Sequence, residues 1–277
     1  MPTSPTPAPD VRLVALDMDG SLLDDDKNLP ESFWPVLEEM LERGIVVCPA
    51  SGRQYATLRE QFARDDLTYV AENGAIVVSG GRTVAVTALD PGTARDVVRT
   101  VRAAVAGGAE HGTVLCGERS AYVERSDDAF LQHVRPYYRR LELVEDLTAV
   151  QDTVLKVAVY DFGPAQDGAG PLLEPFGGAA RVLVSGRHWV DVMHLDADKG
   201  AAVRAIQARL GIGPEHTMAF GDYLNDVGML EAAHWSYAMA NGHPEVLARA
   251  RFVAPSNNEA GVVRTLVEAL RLTPTAG

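Results

Sequence analysis

The chain has 277 residues and sets 25 Lys and Arg against 38 Asp and Glu, a formal net charge of −13. That balance excludes an electrostatic footprint for nucleic acid and an anchor for anionic membranes, because both need clustered surplus cations. At 47% hydrophobic and 23% charged, the composition is that of a globular protein, long enough for one large domain or for a domain carrying an insertion.

The first ten residues are rich in Pro and Thr, lack the charged and apolar regions of a leader, and are expected to form a short disordered tail. An apolar run at 11–16 ends at Asp17; Phe33, Val36, Leu37, Met40 and Leu41 recur at helical spacing within 31–43, which Gly44 closes. A second apolar run, 45–50, leads into a helix ending near residue 64. Strands apolar on both faces, alternating with helices, specify a parallel sheet covered on both sides. From 82 to 188 the texture changes. β-like runs at 113–116, 121–124, 153–160 and 181–185, continued by 189–193, surround helices at 93–105 and 127–139, as in an inserted α+β module. The Gly- and Pro-rich stretch 162–171 reads as a surface loop. Alternation then resumes with a helix at 201–210, a strand at 217–220, a helix at 224–232, a strand at 235–239 and a last helix at 259–272. The two cysteines, Cys48 and Cys116, have neither disulfide-framework nor metal-ligand spacing and are expected as buried free thiols of a cytoplasmic protein. No apolar run reaches the roughly 18 residues of a membrane span.

In an open α/β sheet, ligands lie beyond the carboxyl ends of the strands. The first strand ends in Asp17-Met18-Asp19-Gly20, two carboxylates that repel each other without a cation and suit Mg²⁺ with one. A solvated acidic turn is the bland alternative. A calcium loop is excluded, since the sixth position from Asp17 is Leu22 rather than Gly and the twelfth is Asn28 rather than Glu. The second strand end, Ser51-Gly52-Arg53, offers a hydroxyl and an unhindered N–H to a phosphoryl oxygen, or simply caps a helix; it is not a nucleophile elbow. Only three basic residues are lysines, Lys27, Lys156 and Lys199, so each marks a position to test for a compact point charge. Lys199 opens a helix, where a cation opposes the dipole by about 0.3–1 kcal/mol. An anion offsets that cost, whether Asp198, Asp17 or a bound phosphoryl group. Gly221-Asp222-Tyr223-Leu224-Asn225-Asp226 brings two more carboxylates and an amide to a third strand end. Taken together, Asp17, Asp19 and Asp222 suit one magnesium, and Ser51, Lys199 and Asn225 suit a phosphoryl group. His188 and His194 are expected as surface or core residues rather than ligands.

These motifs, in order and spacing, resemble those of the haloacid dehalogenase superfamily. The first resembles Asp17-Met18-Asp19-Gly20-Ser21-Leu22-Leu23, the second Ala50-Ser51-Gly52-Arg53, the third Lys199-Gly200 and the fourth Gly221-Asp222-Tyr223-Leu224-Asn225-Asp226. Glu72-Asn73-Gly74-Ala75, Ala238-Met239-Ala240-Asn241 and Asn258-Glu259-Ala260-Gly261-Val262 resemble the Cof-like sugar-phosphatase group. The resemblance implies an α/β fold, a Rossmann-like core at 11–81 and 189–277 with an α/β cap domain for substrate specificity inserted at 82–188. It implies a Mg²⁺-dependent phosphatase of small phosphorylated metabolites such as sugar phosphates, a monomer or small homo-oligomer. Asp17 is then the nucleophile that forms an aspartyl-phosphate, and Asp19 the general acid and base. Asp17, the Asp19 carbonyl and Asp222 hold the metal, with Asp226 nearby; Ser51, Gly52 N–H, Lys199 and Asn225 hold the phosphoryl oxygens, and Arg53 and Asn73 face the substrate. Ser21 stands where Thr is commoner, and the stretch 188–196 is more acidic and His-containing than the pattern. The competing readings are a phosphomutase using the same nucleophile and a non-catalytic phospho-acceptor or sugar-phosphate-binding module.

Overall fold

The computed structural model describes residues 9–273, so residues 1–8 of the expected tail lie outside the described residues. In chain order, β1 (Leu13–Asp17), α1 (Phe33–Glu42) and β2 (Val46–Ala50) are followed by α2 (Tyr55–Phe62), β3 (Thr68–Ala71), β4 (Ile76–Ser79) and β5 (Arg82–Val86). Next come α3 (Pro91–Ala106), β6 (His111–Gly117), β7 (Ala121–Val123), α4 (Asp128–Val134), β8 (Leu141–Leu143), β9 (Val154–Asp161), α5 (Ala169–Leu173), β10 (Arg181–Gly186) and β11 (Trp189–Met193). The chain ends with α6 (Lys199–Leu210), β12 (Thr217–Gly221), α7 (Val227–Glu231), β13 (Trp235–Met239), α8 (Pro244–Arg249), β14 (Phe252–Ala254) and α9 (Gly261–Leu270).

The described residues form two compact units, one of residues 9–51 and 198–273, the other of residues 52–197. The expected boundaries at 82 and 188 fall inside the second. In the first unit the strands run β14-β13-β12-β1-β2, every neighbouring pair parallel. β1 and β12 are buried along their whole length, and apart from Asp17 and Thr217 at their ends their sequences carry no polar side chain, as strands covered on both faces require. Helix α1 buries Phe33, Val36, Leu37 and Met40, the stripe seen in the sequence, and packs against β2 and α9; each such side chain contributes roughly 1.5–3 kcal/mol. β1 lies between β2 and β12, so the chain leaves β1 through α1 on one side and returns beside it through α6 on the other. The register pairs Asp17 with Ala50 and Leu16 with Phe220, bringing three strand ends to one edge. That edge is the switch point where such sheets bind ligands.

The second unit holds the antiparallel meander β3-β4-β5 and a sheet of order β10-β11-β9-β6-β7-β8. β9 is buried throughout: Val157 and Val159 enter the core beneath α3 and α5, and the alternate residues Ala158 and Tyr160 join Phe130 and Val134 of α4. A strand's period of two therefore serves two cores. The meander has no clear sequence signal, because its runs of four or five residues are too short to show a period. Helix α4 stops well short of the expected 139, and α5 starts inside the expected loop, where the Asp161 carboxylate accepts the Ala169 N–H at 2.8 Å. Both cysteines are buried and neither is in a disulfide. Among the described residues no helix is long and apolar enough to cross a membrane.

Helices α6 and α7 approach so closely that a Cβ on Gly200 would lie 2.2 Å from the Gly228 carbonyl. Ala normally favours a helix over Gly by about 1 kcal/mol, but here backbone overlap dominates. Gly200→Ala is expected to lower stability by about 1–3 kcal/mol, read as a lower urea midpoint at unchanged slope. A stabilised variant would refute the close packing.

Candidate active site

Asp17 closes β1, 5% exposed, and Lys199 opens α6, 1% exposed. The Lys199 ammonium donates to Asp17 Oδ1 at 2.5 Å and to Asp226 Oδ1 at 2.7 Å. Burial works against its charge, yet the two carboxylates hold its proton more tightly than an ordinary lysine does. The anionic partner that its place at a helix N-terminus calls for is thus Asp17 together with Asp226, while Asp198 caps α6 through Ala201 N–H at 3.0 Å. The other Asp226 oxygen accepts the Asp222 and Tyr223 N–H groups at 3.0 and 3.1 Å, which folds the turn after β12.

Asp222 accepts the Ser21 hydroxyl at 3.4 Å and lies against Gly20, where a Cβ would fall 2.4 Å from its carboxylate. Gly20 also has φ +84°, so the turn after Asp19 is closed to other residues on two counts. Burial, reinforced by Asp226, raises the Asp222 pKa to about 6. Burial and the same neighbour push Asp17 well above the usual carboxylate range, against the pull of Lys199.

Oxygens of Asp17, Asp222 and Asp226 lie within 4.8 Å of one another, the one such acidic, His or Cys group among the described residues. Three carboxylates face one ammonium, and Asp17 Oδ2 is buried without a hydrogen-bond donor. Surplus negative charge, hard oxygen donors and an orphaned buried acceptor together fit a divalent cation.

Asp19 is half-buried in the turn beyond, its Oδ1 3.1 Å from the Lys27 ammonium. Ser51 is buried directly after β2, and Asn225 is half-buried in the short turn Leu224–Asp226. In the second unit, Arg53 sets its guanidinium 5.8 Å from the centre of the Tyr137 ring, and Asn73 is buried, donating to Asp191 at 2.9 Å. A Cβ on Gly52 would come 3.0 Å from Asn73 Oδ1. His188 bonds the Asp161 and Gly163 carbonyls. Asn241, of the Ala238–Asn241 motif, donates to the Gly20 carbonyl at 2.8 Å. Two supports go beyond the motifs: Lys27 faces Asp19, and Asn257 donates to the Leu23 carbonyl at 3.1 Å. The scarcity of lysine is the signal for the first; Asn257, an amide in a turn, carries none.

A parallel sheet with buried carboxylates, a lysine and a cation-sized acidic cluster at its switch point defines an α/β protein with a candidate metal and anion site at its strand ends. The family profile of haloacid dehalogenase-like hydrolases matches residues 14–266. A relative from Escherichia coli K12, 5-amino-6-(5-phospho-D-ribitylamino)uracil phosphatase YbjI, is 32% identical over 268 residues, 94% of this chain and 97% of the relative. The HMP-PP phosphatase of Cronobacter sakazakii is 27% identical, covering 86% of this chain and 87% of its own. A crystal structure from Streptococcus mutans UA159 superposes with a TM-score of 0.82 at 27% identity, over 95% of this chain and 100% of that one. The chain belongs to the haloacid dehalogenase-like hydrolases, in their Cof-like branch, and is a phosphoric monoester hydrolase of that superfamily.

The raised Asp222 pKa fixes a sign for pH dependence without metal. Between about pH 4 and 6 the folded protein keeps a proton that the unfolded chain has released. This contribution is full below about pH 4 and is lost as pH rises through about 6. Metal-free wild type is expected to lose stability relative to Asp222→Asn by on the order of 1.4 kcal/mol per pH unit across that window, measured by urea unfolding. Parallel pH profiles would contradict it.

Proposed function

We propose that this enzyme is a Mg²⁺-dependent phosphatase of small phosphorylated metabolites such as sugar phosphates, acting through an aspartyl-phosphate on Asp17. The observation that carries the reading is the buried Asp17 carboxylate, aligned by Lys199 through one oxygen and left without a donor on the other. Support for the substrate class comes from relatives named as phosphatases of a phosphoribitylaminouracil and of HMP-PP.

In the first half-reaction Asp17 attacks phosphorus and the bond to the leaving alcohol breaks, Asp19 giving its proton to that oxygen. In the second, water attacks the acyl-phosphate, Asp19 takes a proton from it, and Asp17 is released as a carboxylate with inorganic phosphate. Lys199, fixed by Asp17 and Asp226, neutralises charge on the equatorial oxygens; the Ser51 hydroxyl, Gly52 N–H and Asn225 amide donate to them. Asp17, the Asp19 carbonyl and Asp222, with Asp226 beside them, would hold Mg²⁺, which when bound supplies electrostatic stabilisation to the transferring group. Asp226 also anchors Lys199 and the turn after β12. Arg53 and Asn73 are assigned to the substrate side, and the module 82–188 is the cap that selects the metabolite.

Hydrolysis of an aryl phosphate is expected to require Mg²⁺, to stop with a chelator and to resume on readdition. Asp17→Asn is expected to lower kcat by at least about 10³-fold. Metal-independent turnover, or activity retained in Asp17→Asn, would sink the mechanism. A stable acyl-phosphate without turnover would instead mark a phospho-acceptor, and phosphoryl return to a sugar phosphate a mutase. A panel of sugar phosphates and nucleotides then identifies the metabolite.

A further inference from the structure

Lys156 is a buried lysine on β9 that the mechanism leaves unused, 2% exposed. Its ammonium lies 3.0 Å from Glu72 Oε2 and 3.2 Å from Asp191 Oδ2, and donates to the backbone carbonyl of Gly52 at 2.9 Å. The same Asp191 oxygen accepts from the Asn73 side chain at 2.9 Å. Glu72 and Asn73 stand in a short turn where Glu72, Asn73 and Gly74 have φ of 50°, 56° and 96° in succession. Left-handed backbone costs a residue with a side chain on the order of 1–2 kcal/mol. The turn therefore persists only because its surroundings hold it.

What it does in return is confine one peptide segment. Glu72 N–H donates to the Arg53 carbonyl at 3.1 Å, Lys156 holds the preceding carbonyl, and the Asn73 side chain stands where a Cβ on Gly52 would come within 3.0 Å of its Oδ1. Gly52 has no side chain to limit its own torsions, so these contacts supply the limits from outside. Stability alone is a weak reason for the cluster, since one ammonium shared by two buried carboxylates is generally no better than apolar packing. A fixed donor on the Gly52 carbonyl is something apolar packing cannot provide.

We propose that Lys156 is a positioning residue, which with Glu72, Asp191 and Asn73 locks the Gly52–Arg53 backbone so that the Gly52 N–H is preorganised for the transferring phosphoryl group. This inference rests on the reading that Ser51 and Gly52 hold phosphoryl oxygens. It assigns to the turn after β3 a kinetic role exerted through backbone, with no contact to substrate required.

The test uses the full-length enzyme with Mg²⁺ and an aryl phosphate, in wild type, Lys156→Met and Lys156→Met/Glu72→Leu. The double variant keeps the net charge of the cluster while removing the donor. Both are expected to lower kcat by about 10–100-fold with KM within about threefold, and the double variant to regain thermal stability without regaining kcat. Wild-type kcat in Lys156→Met, recovery of kcat together with stability, or a double variant that does not fold would each show a structural role and overturn the proposal. A wild type that hydrolyses no ester overturns the phosphatase reading and this inference with it, an outcome distinct from an active wild type whose variants are equally active.

Discussion

The first unit is organised by one ammonium held between two buried carboxylates. Lys199 reaches Asp17 at the end of β1 and Asp226 in the turn after β12, while its own backbone starts α6. A lysine at that point works against the helix dipole and against burial, so neither secondary structure nor solvation explains it. Asp17 and Asp226 do, and the dependence is mutual. Without Lys199 the acidic edge would hold three carboxylates and no fixed cation, and without Asp226 the turn carrying Asp222 would lose the acceptor for two of its N–H groups.

That arrangement demands very close approach, and small residues provide it. Gly200, beside Lys199, lets α6 rest on the backbone of α7, and Gly20 leaves space for the Asp222 carboxylate. Charge at this edge is thus placed by steric permission as much as by attraction. A methyl group at either position would displace a charged residue from its partner without altering any charge.

Much of this is legible in the amino-acid sequence because it is local to strand ends. Asp17, Ser51 and the 221–226 turn each follow a short apolar run, and the rule that ligands sit at the carboxyl ends of strands is enough to collect them. Lys199 stands out against an arginine-rich background. The meander β3-β4-β5 is not legible, and of the Lys156 cluster the sequence marks Lys156 as a scarce lysine and Glu72-Asn73 as part of a motif but not their pairing. Asn73 and Asp191 are 118 residues apart in sequence yet 2.9 Å apart in space, and no period or motif joins them. The left-handed φ of Glu72 is equally hidden, since a glutamate carries no bias toward that region. Sequence spacing locates the groups proposed to react; the groups that hold the backbone around them are fixed only by tertiary pairing.

The rarity of lysine has a practical corollary for covalent chemistry. Lys156 and Lys199 are buried in ion pairs, which leaves Lys27, its side chain 51% exposed, as the lysine amine open to solvent. That amine sits on Asp19. Reagents that acylate surface amines, harmless bystanders on most enzymes, here find their accessible lysine beside the proposed proton donor and erase the positive charge next to it. For this chain, coupling a dye or a solid support through lysine is a modification of the site's surroundings, whereas thiol coupling meets two buried cysteines.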